Sequence, residues 1–594
     1  MTTGAETVRW DLSDLYADPD DPALTGDLAS ALDDAKSFHE RLHGRIGDLG
    51  PADLAAAIDD LQDINERMDR VGTYAYLRFA TDTADPARGA LLQTVEERST
   101  AIATELLFFE LEWAAVPDDQ AAEVLNDAAL ARWRHFLDAA RWFRPHLLTE
   151  PEEKVIAEKT VTGRSAWSRL FTQVTDAISV ELDGDMIPLE EALSRLHHPD
   201  RDVRHAAGRA VTAALEPGLP VRTYIFNTIL ADHSIDDRLR SFDAWISSRN
   251  LSNEIEESTF EALVTSVTSR YDLPARWYRL KARLLGLDEL TEHDRYAPLL
   301  PDEREIDWAE ARQTVLDAYH SFSPEMAAIA TGFFDRYIDA PIAAGKQGGA
   351  FSHPAVPSAH PYVLLNFTAR RRDVMTLAHE LGHGVHQVLA GRQGLFNAAT
   401  PLTLAETASI FGETVTFARL LDDEQEPRAR LALLASRIED ICASVFRQTA
   451  MNRFEEAVHN VRRTEGELST ARIGEAWLGT QREMFGDSVR ITDAYATWWS
   501  YIPHFIHTPG YVYAYAFGNL LALAIYARYE TDGAAFVPSY LELLSAGGSD
   551  RPEALAALVG VDLTDPGFWN AGLAVIGDLV DEAEKLADAA SGSD

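Results

Sequence analysis

Helical periodicity runs through most of the chain and limits its fold class more than any other feature. Over residues 22–145, apolar residues recur at positions i, i+3 and i+4 between charged faces, as in LAAAIDDLQDINERM (54–68). Residues with this spacing form one stripe along an α-helix, and that stripe must pack against another buried surface. Breaks in the pattern fall at Pro51, at DPARG (85–89) and near FRPHLLTEPEEK (143–154). We therefore predict a mostly α protein. In its second helical region, Asp200 of HHPDRDVR is expected to cap a helix.

One segment departs from this pattern. Residues 345–374, GKQGGAFSHPAVPSAHPYVLLNFTARRRDV, are rich in Gly, Pro and Ser and contain the β-favouring run YVLLNF. This composition predicts a small β-sheet directly before the helix that carries HELGH (379–383). Such a sheet could dock an extended peptide by strand addition, or it could simply brace the helix. Composition alone does not separate these two interpretations.

Composition excludes several classes of site and partner. The single cysteine, Cys442, excludes both an internal disulfide framework and a thiolate metal site, so any metal needs His, Asp or Glu ligands. The net charge of −42 argues against nucleic acid as a partner, because phosphate binding requires clustered Lys and Arg. Acidic residues are dispersed and lysines are few, which suggests a halophilic protein from a salt-rich cytosol, where screening removes self-repulsion.

The N-terminus and one apolar run bear on location. MTTGAETVRWDLSDLY has neither a basic n-region nor an apolar core, so it is not expected to be a signal peptide. The run GYVYAYAFGNLLALAIYA (510–527) has the length of a membrane span. Three tyrosines occupy its first half and no basic residues flank it closely upstream, which favours a buried core helix. We therefore expect a cytoplasmic protein without a membrane partner.

The stretch TLAHELGHGVHQ (376–387) predicts a metal site. His379 and His383 are four residues apart, so on a helix their rings stand one above the other and can reach one ion. Glu380 is turned by about 100°, close enough to take a proton from an activated water. Gly382 and Gly384 weaken a helix, which indicates that another chain segment or a substrate comes very close. His386 is more consistent with a satisfied histidine than with a further ligand.

A hydrolytic zinc site needs three protein ligands and one open position. Glu406 of LAETASIFGE lies 23 residues after His383, which leaves room for a turn and a returning helix. Glu413 follows seven residues later on the same helix face, where it could orient a ligand histidine by hydrogen bonding. We predict one zinc ion held by His379, His383 and Glu406. The alternative is that both glutamates lie on a solvated helix face.

A second cluster of polar aromatic residues follows in YIPHFIHTPGYVYAYAFG (501–518). Peptide hydrolysis by activated water forms a tetrahedral oxyanion, which Tyr and His donors can stabilise. The candidates are His504, His507, Tyr511, Tyr513 and Tyr515, although an aromatic core segment would have a similar composition. Gly510 would permit a close backbone approach.

Together these motifs resemble the oligoendopeptidase F and thimet oligopeptidase family of zinc peptidases. The resemblance is carried by HELGH, AETASIFGE and HFIHTPGYVYAYAFG, by the lead-in GKQGGAFSHP, and by WDLSDLY (10–16) near the N-terminus. It implies a helical bowl or clamshell whose deep channel admits short unstructured peptides. It also implies zinc ligation by His379, His383 and Glu406, with Glu380 as the general base.

The resemblance further assigns oxyanion stabilisation to a histidine and tyrosines of residues 504–515. The spacing here differs from thimet-type members, so both His504 and His507 stay candidates; we favour His507, Tyr511 and Tyr515, with Tyr513 packing. We expect an N-terminal helical domain (1–200), a catalytic domain (201–585) and a flexible tail (586–594). The oligomeric state is left open.

Two other functions compete with an oligoendopeptidase. A metallocarboxypeptidase would use the same zinc ligands with a basic residue that captures a free carboxylate, for which Arg370, Arg371 and Arg372 are candidates. A non-catalytic peptide-binding protein is disfavoured, because Glu380 and the third ligand are intact.

Overall fold

A computed structural model describes residues 3–160, 162–299 and 305–591, which form two compact units. Unit 1 is built from described residues of 1–144, 303–423 and 528–562. Unit 2 is built from those of 145–302, 424–527 and 563–594. Each unit therefore combines separate stretches of the chain. The predicted domains at 1–200 and 201–585 divide the chain in another way and stay a prediction.

Unit 1 is mainly helical, and two of its helices begin at breaks that the sequence predicts. Proline opens the helices at Pro51 and Pro86, a position at which its missing N–H costs nothing. The Asp85 side chain accepts a hydrogen bond from the Ala87 N–H and caps the second of these helices. The helices are Pro22–Leu42, Pro51–Thr81, Pro86–Leu106, Phe108–Ala115, Asp118–Leu125, Arg134–Trp142, Trp308–Phe322, Pro324–Arg336, Arg371–Ala390, Leu395–Ala398, Leu402–Ala405, Thr407–Asp423, Val537–Ala546 and Pro552–Ala557.

A three-stranded sheet in unit 1 confirms the strand prediction for residues 345–374. Its strands are Ile338–Asp339, Phe351–His353 and Tyr362–Leu364, with the last in the middle. The middle strand pairs in parallel with Ile338–Asp339 and antiparallel with Phe351–His353, whose register sets Ser352 opposite Val363. Lys346 lies in the loop between the strands Ile338–Asp339 and Phe351–His353. Its buried ammonium holds this loop against the sheet, because it donates to Asp339 Oδ1 at 2.7 Å and to the Leu365 carbonyl at 2.6 Å.

The HELGH sequence lies on Arg371–Ala390, here called the motif helix. Its start is fixed by Asp373, whose carboxylate accepts from the N–H groups of Thr368 at 2.7 Å and Arg370 at 3.1 Å. Leu377, Leu381 and Val385 form an apolar stripe along this helix and are fully buried, whereas Val388, one turn on, is partly exposed. The helix packs against Thr407–Asp423, here called the carboxylate helix, and against the small sheet. The predicted fold class, mostly α with a small sheet beside this helix, is confirmed.

Unit 2 is also mainly helical. The helix Arg201–Leu215 begins as predicted, because Asp200 Oδ1 accepts from the Asp202 N–H at 2.9 Å. The strands form two two-stranded pairs, Ser179–Leu182 with Asp185–Pro188 and Leu290–Thr291 with Val489–Arg490. The helices are Glu150–Thr160, Arg164–Asp176, Leu189–Ser194, Arg201–Leu215, Leu219–Leu239, Ser247–Ser252, Glu257–Ser269, Asp272–Leu284, Pro427–Ile441, Gln448–Glu465, Thr470–Phe485, His504–His507 and Pro566–Ser591, with a π-helical turn at Cys442–Arg447.

Two further predictions concern the apolar run 510–527 and the C-terminal tail 586–594. Residues 513–527 of this run form the first part of the helix Tyr513–Asp532, and nearly all of them up to Ile525 are buried. The prediction of a core helix is thus confirmed, and no helix among the described residues is long and apolar enough to cross a bilayer. The last helix continues to Ser591, whereas residues 592–594 lie outside the described residues, so the flexibility of the 586–594 tail stays a prediction.

Candidate metal centre

The structure brings His379, His383 and Glu406 together in unit 1. The two histidines follow each other by one turn on the motif helix, and Glu406 lies between the short helix Leu402–Ala405 and the carboxylate helix. The His379 Nε2 atom lies 3.2 Å from His383 Nε2 and 3.4 Å from Glu406 Oε2, and His383 Nε2 lies 3.5 Å from the same oxygen. Three donor atoms from two chain segments therefore face one point.

These separations fit a zinc ion. Zinc bonds to nitrogen and oxygen are about 2.0–2.2 Å long, and a tetrahedron with such bonds has edges of about 3.3 Å. The three observed edges lie close to that value. Two imidazoles and one carboxylate also match the ligand set of hydrolytic zinc sites, which leave the fourth position open. The geometry and the donor chemistry thus both accommodate one zinc ion.

Hydrogen bonds to neighbouring groups orient the side chains of His379, His383 and Glu406. Glu413 Oε1 accepts from His379 Nδ1 at 2.5 Å, which leaves His379 Nε2 directed at the other ligands. The His383 ring bonds to the backbone carbonyl of Ala405, and the Ser409 hydroxyl donates to Glu406 Oε2 at 2.8 Å. Each of the three candidate ligand side chains is therefore held by a separate neighbour.

The carboxylates around this site favour a positive charge at its centre. Burial alone would lower the pKa of His379, but the hydrogen bond to Glu413 and the charges of Glu406 and Glu380 outweigh it and raise that pKa to about 9. His383 is affected differently, since burial dominates and lowers its pKa to about 4. The negative charges of Glu413, Glu406 and Glu380 would stabilise a metal cation at this site as they stabilise a proton on His379.

Glu380 is set apart from the ligands by its surroundings. It is buried, and its carboxylate accepts a hydrogen bond from the Ser352 backbone N–H of the edge strand Phe351–His353. Burial and the neighbouring glutamates raise the pKa of Glu380 to about 7. Ser352 also bonds to Gln387 of the motif helix through its hydroxyl at 2.8 Å. These contacts support the bracing interpretation of the sheet.

The two glycines of the motif confirm the predicted close approach. A Cβ atom on Gly382 would lie 2.5 Å from the Ala408 carbonyl oxygen, and one on Gly384 would overlap the Phe333 ring. His386 is buried, and burial lowers its pKa to about 3, so it is a neutral core histidine. Arg370 and Arg372 are exposed at the start of the helix.

The second predicted cluster lies in unit 2 and separates into two groups. His504 Nε2 lies 3.2 Å from the Tyr515 hydroxyl oxygen, and the Tyr511 and Tyr515 rings meet edge to face at 5.1 Å. The His504 ring stacks parallel to Tyr511 with centroids 6.2 Å apart. His507 is not part of this group, because its Nε2 atom lies 3.2 Å from the Thr172 hydroxyl.

Tyr513 and Gly510, in the same segment, contact neighbouring helices of unit 2. The Tyr513 hydroxyl donates to Asn250 Oδ1 at 3.0 Å and accepts from Asn253 at 2.7 Å, in agreement with the packing role expected for it. Gly510 has a left-handed φ of +74° and donates its N–H to Glu455 Oε1 at 2.8 Å. A Cβ on Gly510 would lie 2.9 Å from Ile246 Cδ1, so the close approach is to a side chain.

Sequence reasoning missed several of these contacts. Ser352 and the Ala405 carbonyl act through backbone groups, which leave no signal in residue type. Glu455 lies 55 residues from Gly510 on Gln448–Glu465, and a glutamate in a helical pattern is ordinarily assigned to a solvated face.

Comparison with known proteins finds similarity to peptidases along most of the chain. The family model described as Peptidase family M3 matches residues 194–575, and that described as Oligopeptidase F matches residues 112–179. Oligopeptidase PepF of Bacillus subtilis is 28% identical over 534 residues, which cover 88% of this chain and 79% of that protein. Group B oligopeptidase PepB of Streptococcus agalactiae is 26% identical over 602 residues, with 98% and 97% covered.

A solved structure shows the same fold. The crystal structure of oligoendopeptidase-F from Enterococcus faecium has a TM-score of 0.72 to this chain at 23% identity, and the match covers 94% of this chain and 97% of that one.

Proposed function

The chain belongs to peptidase family M3, and from this premise we propose that it is a zinc-dependent oligoendopeptidase that cleaves internal bonds of short, unstructured peptides. The observation that carries the proposal is the convergence of His379, His383 and Glu406 with a buried carboxylate, Glu380, beside them. A bound zinc ion would supply Lewis acidity, which polarises a peptide carbonyl and lowers the pKa of water.

Glu380 is assigned the proton transfers. Its carboxylate takes the proton of the attacking water and later gives it to the leaving amine. A general base must accept a proton and release it again, and burial favours the protonated carboxyl by raising the pKa of Glu380. The Ser352 N–H holds the carboxylate from one side, so the group is positioned without being a ligand.

Oxyanion stabilisation is assigned to Tyr511 and Tyr515, with His504 as their histidine partner. The 3.2 Å contact between His504 and the Tyr515 hydroxyl supports this choice over His507, which sequence reasoning favoured. Burial lowers the pKa of His504, so the ring stays neutral and can exchange a hydrogen bond with that hydroxyl. The tyrosines supply preorganised O–H donors for developing negative charge.

The substitution Glu380→Gln tests the central assignment. The amide keeps the size of the side chain but cannot accept the proton, so the variant should bind zinc like the parent and lose at least about a hundredfold in turnover. Zinc content by atomic emission and cleavage of an internally quenched peptide measure the two properties. Glu325→Gln, on an exposed helix face, is the matched control. Substantial activity of Glu380→Gln would reject the assignment.

A peptide of about ten residues blocked at both ends tests endopeptidase action. Internal cleavage that is lost with a chelator and restored by zinc is expected. Trimming of only the free-ended version would indicate a metallocarboxypeptidase, although exposed Arg370 and Arg372 do not resemble a buried carboxylate clamp. Peptide binding without cleavage would indicate the non-catalytic alternative. We further propose a cytoplasmic location in a salt-rich cell, supported by the net charge of −42.

A further inference from the structure

Unit 1 contains a cavity of about 850 Å³ that reaches the metal centre. This volume lies within the range of about 300–1,000 Å³ found for ligand pockets. His383 lines it from the motif helix, and the loop 354–361 between two strands of the sheet forms another wall. Leu395 and Phe396 add apolar surface. A peptide held at His383 therefore has an adjoining space for part of its chain.

The side wall of this cavity carries Asp69, from the helix Pro51–Thr81. No lysine or arginine is among the described residues that line the cavity, and Asp69 is the one acidic side chain there. Burial and then the nearby charge of Glu66 raise the pKa of Asp69 to about 6. Even so, its carboxylate is mostly ionised at pH 7.

The basic residues nearest to Asp69 along its own helix are engaged elsewhere. Arg67 pairs with Asp34 at 2.7 Å and donates to the Ser30 hydroxyl, and Arg70 donates to the backbone carbonyls of Asp14 and Leu15. Among the described residues, none forms an ion pair with Asp69. A partly buried carboxylate without a cation is costly to the fold, and such residues concentrate at binding sites.

We propose that Asp69 makes this cavity a specificity site for a cationic group of the peptide substrate, either a Lys or Arg side chain or the free α-amino group. The inference rests on the proposed function, because it concerns the substrate of the same site. The apolar walls would accept the aliphatic part of such a chain, and the carboxylate would bind its charged end. Glu66 adds to the negative potential.

The test uses the zinc-loaded protein and two sets of internally quenched peptides. In one set, both ends are blocked and a single Lys, or its neutral counterpart norleucine, is moved along an otherwise uncharged decamer. In the other set, the same decamer without Lys has a free or an acetylated N-terminus. The ratio of kcat/KM between the charged and neutral member of each pair is measured, because a purely structural role of Asp69 would not change that ratio.

We expect one Lys position, or the free amine, to be preferred by at least about tenfold, as for a hydrogen bond between charged groups. Asp69→Asn should bring that ratio close to one. Asp63→Asn, an exposed position on the same helix, should keep it. Should Asp69→Asn fail to fold, Glu66→Gln is the second variant, and it should lower the ratio by a smaller factor.

The outcomes separate this inference from the proposed function. Cleavage of the norleucine peptides without a preference for either cation, or a preference that survives Asp69→Asn, overturns the inference alone. Absence of any cleavage overturns the proposed function and the inference together. Which of the two peptide sets shows the preference identifies the source of the cationic group.

Discussion

Gly382→Ala probes the contact that brings Glu406 to the two histidines. The motif helix and the carboxylate helix touch at Gly382 with no side chain between them. A Cβ atom there would lie 2.5 Å from the Ala408 carbonyl oxygen and 2.6 Å from Ser409 Cα, whereas ordinary contacts begin at 3.4 Å. The carboxylate helix would have to retreat by about 0.9 Å, the difference between 3.4 and 2.5 Å. Both atoms belong to backbone, so no rotamer change relieves the clash.

Two opposing effects set the size of the change. Alanine is favoured over glycine inside a helix by about 1 kcal/mol. Overpacking a well-packed core costs about 1–3 kcal/mol, and a clash with backbone belongs at the upper end. We therefore expect a net loss of about 1–2 kcal/mol in the free energy of unfolding. Zinc affinity should fall as well, because Glu406 directly precedes the displaced helix.

Urea unfolding midpoints with and without zinc, together with zinc competition titrations, measure both effects. Gly332→Ala is the matched control, since Gly332 lies within the helix Pro324–Arg336 of the same unit and a Cβ atom added to it would meet nothing within 4 Å. That variant should be more stable by about 0.5–1 kcal/mol. If Gly382→Ala gained stability like Gly332→Ala, the close approach of the two helices would be refuted.

Charge and hydrogen bonding support three further predictions. Glu413→Gln should weaken zinc binding by about 10–100-fold, because it removes the carboxylate that orients His379; an unchanged affinity in a chelator competition assay would contradict this role. Burial raises the pKa of Glu455 from 4.5 to about 8, so the folded state keeps a proton that the unfolded chain releases. The wild type therefore loses stability relative to Glu455→Gln as pH rises from 4.5 to 8, by up to about 1.4 kcal/mol per pH unit. Thermal melts of both proteins across this range measure the effect, and an equal change of melting temperature in the two would disprove it. Molar KCl should raise the melting temperature of the wild type by screening its net charge of −42, more than sucrose at matched osmolality does; equal melting temperatures in dilute buffer and molar KCl would exclude the halophilic interpretation.

The parts of the site that were predictable are those encoded locally. His379 and His383 are four residues apart on one helix, so helix geometry sets their relative directions. Glu406 directly precedes the helix that carries Glu413, seven residues further along the chain. The apolar stripe of Leu377, Leu381 and Val385 likewise follows from spacing. For these residues, the sequence contains the physical information needed, and the structure places them accordingly.

The parts that were not predictable depend on tertiary contacts. His504 and His507 begin and end one short helix, and their different partners, Tyr515 and Thr172, come from other elements. Spacing does not indicate which ring meets which partner. Asp69 shares a cavity with His383 although more than 300 residues separate them, and its helix shows only an ordinary charged face. Long-range packing decides both cases.

Three glutamates surround the histidine pair, and each has a different hydrogen-bond environment. Glu406 presents Oε2 to both Nε2 atoms and is held by the Ser409 hydroxyl, so it can act as a ligand. Glu413 Oε1 accepts a hydrogen bond from His379 Nδ1. Glu380 has neither contact and is held by the Ser352 N–H, which leaves its carboxylate available for a proton. The three hydrogen-bond environments therefore support the different roles proposed for these glutamates: ligand for Glu406, orienting group for Glu413 and base for Glu380.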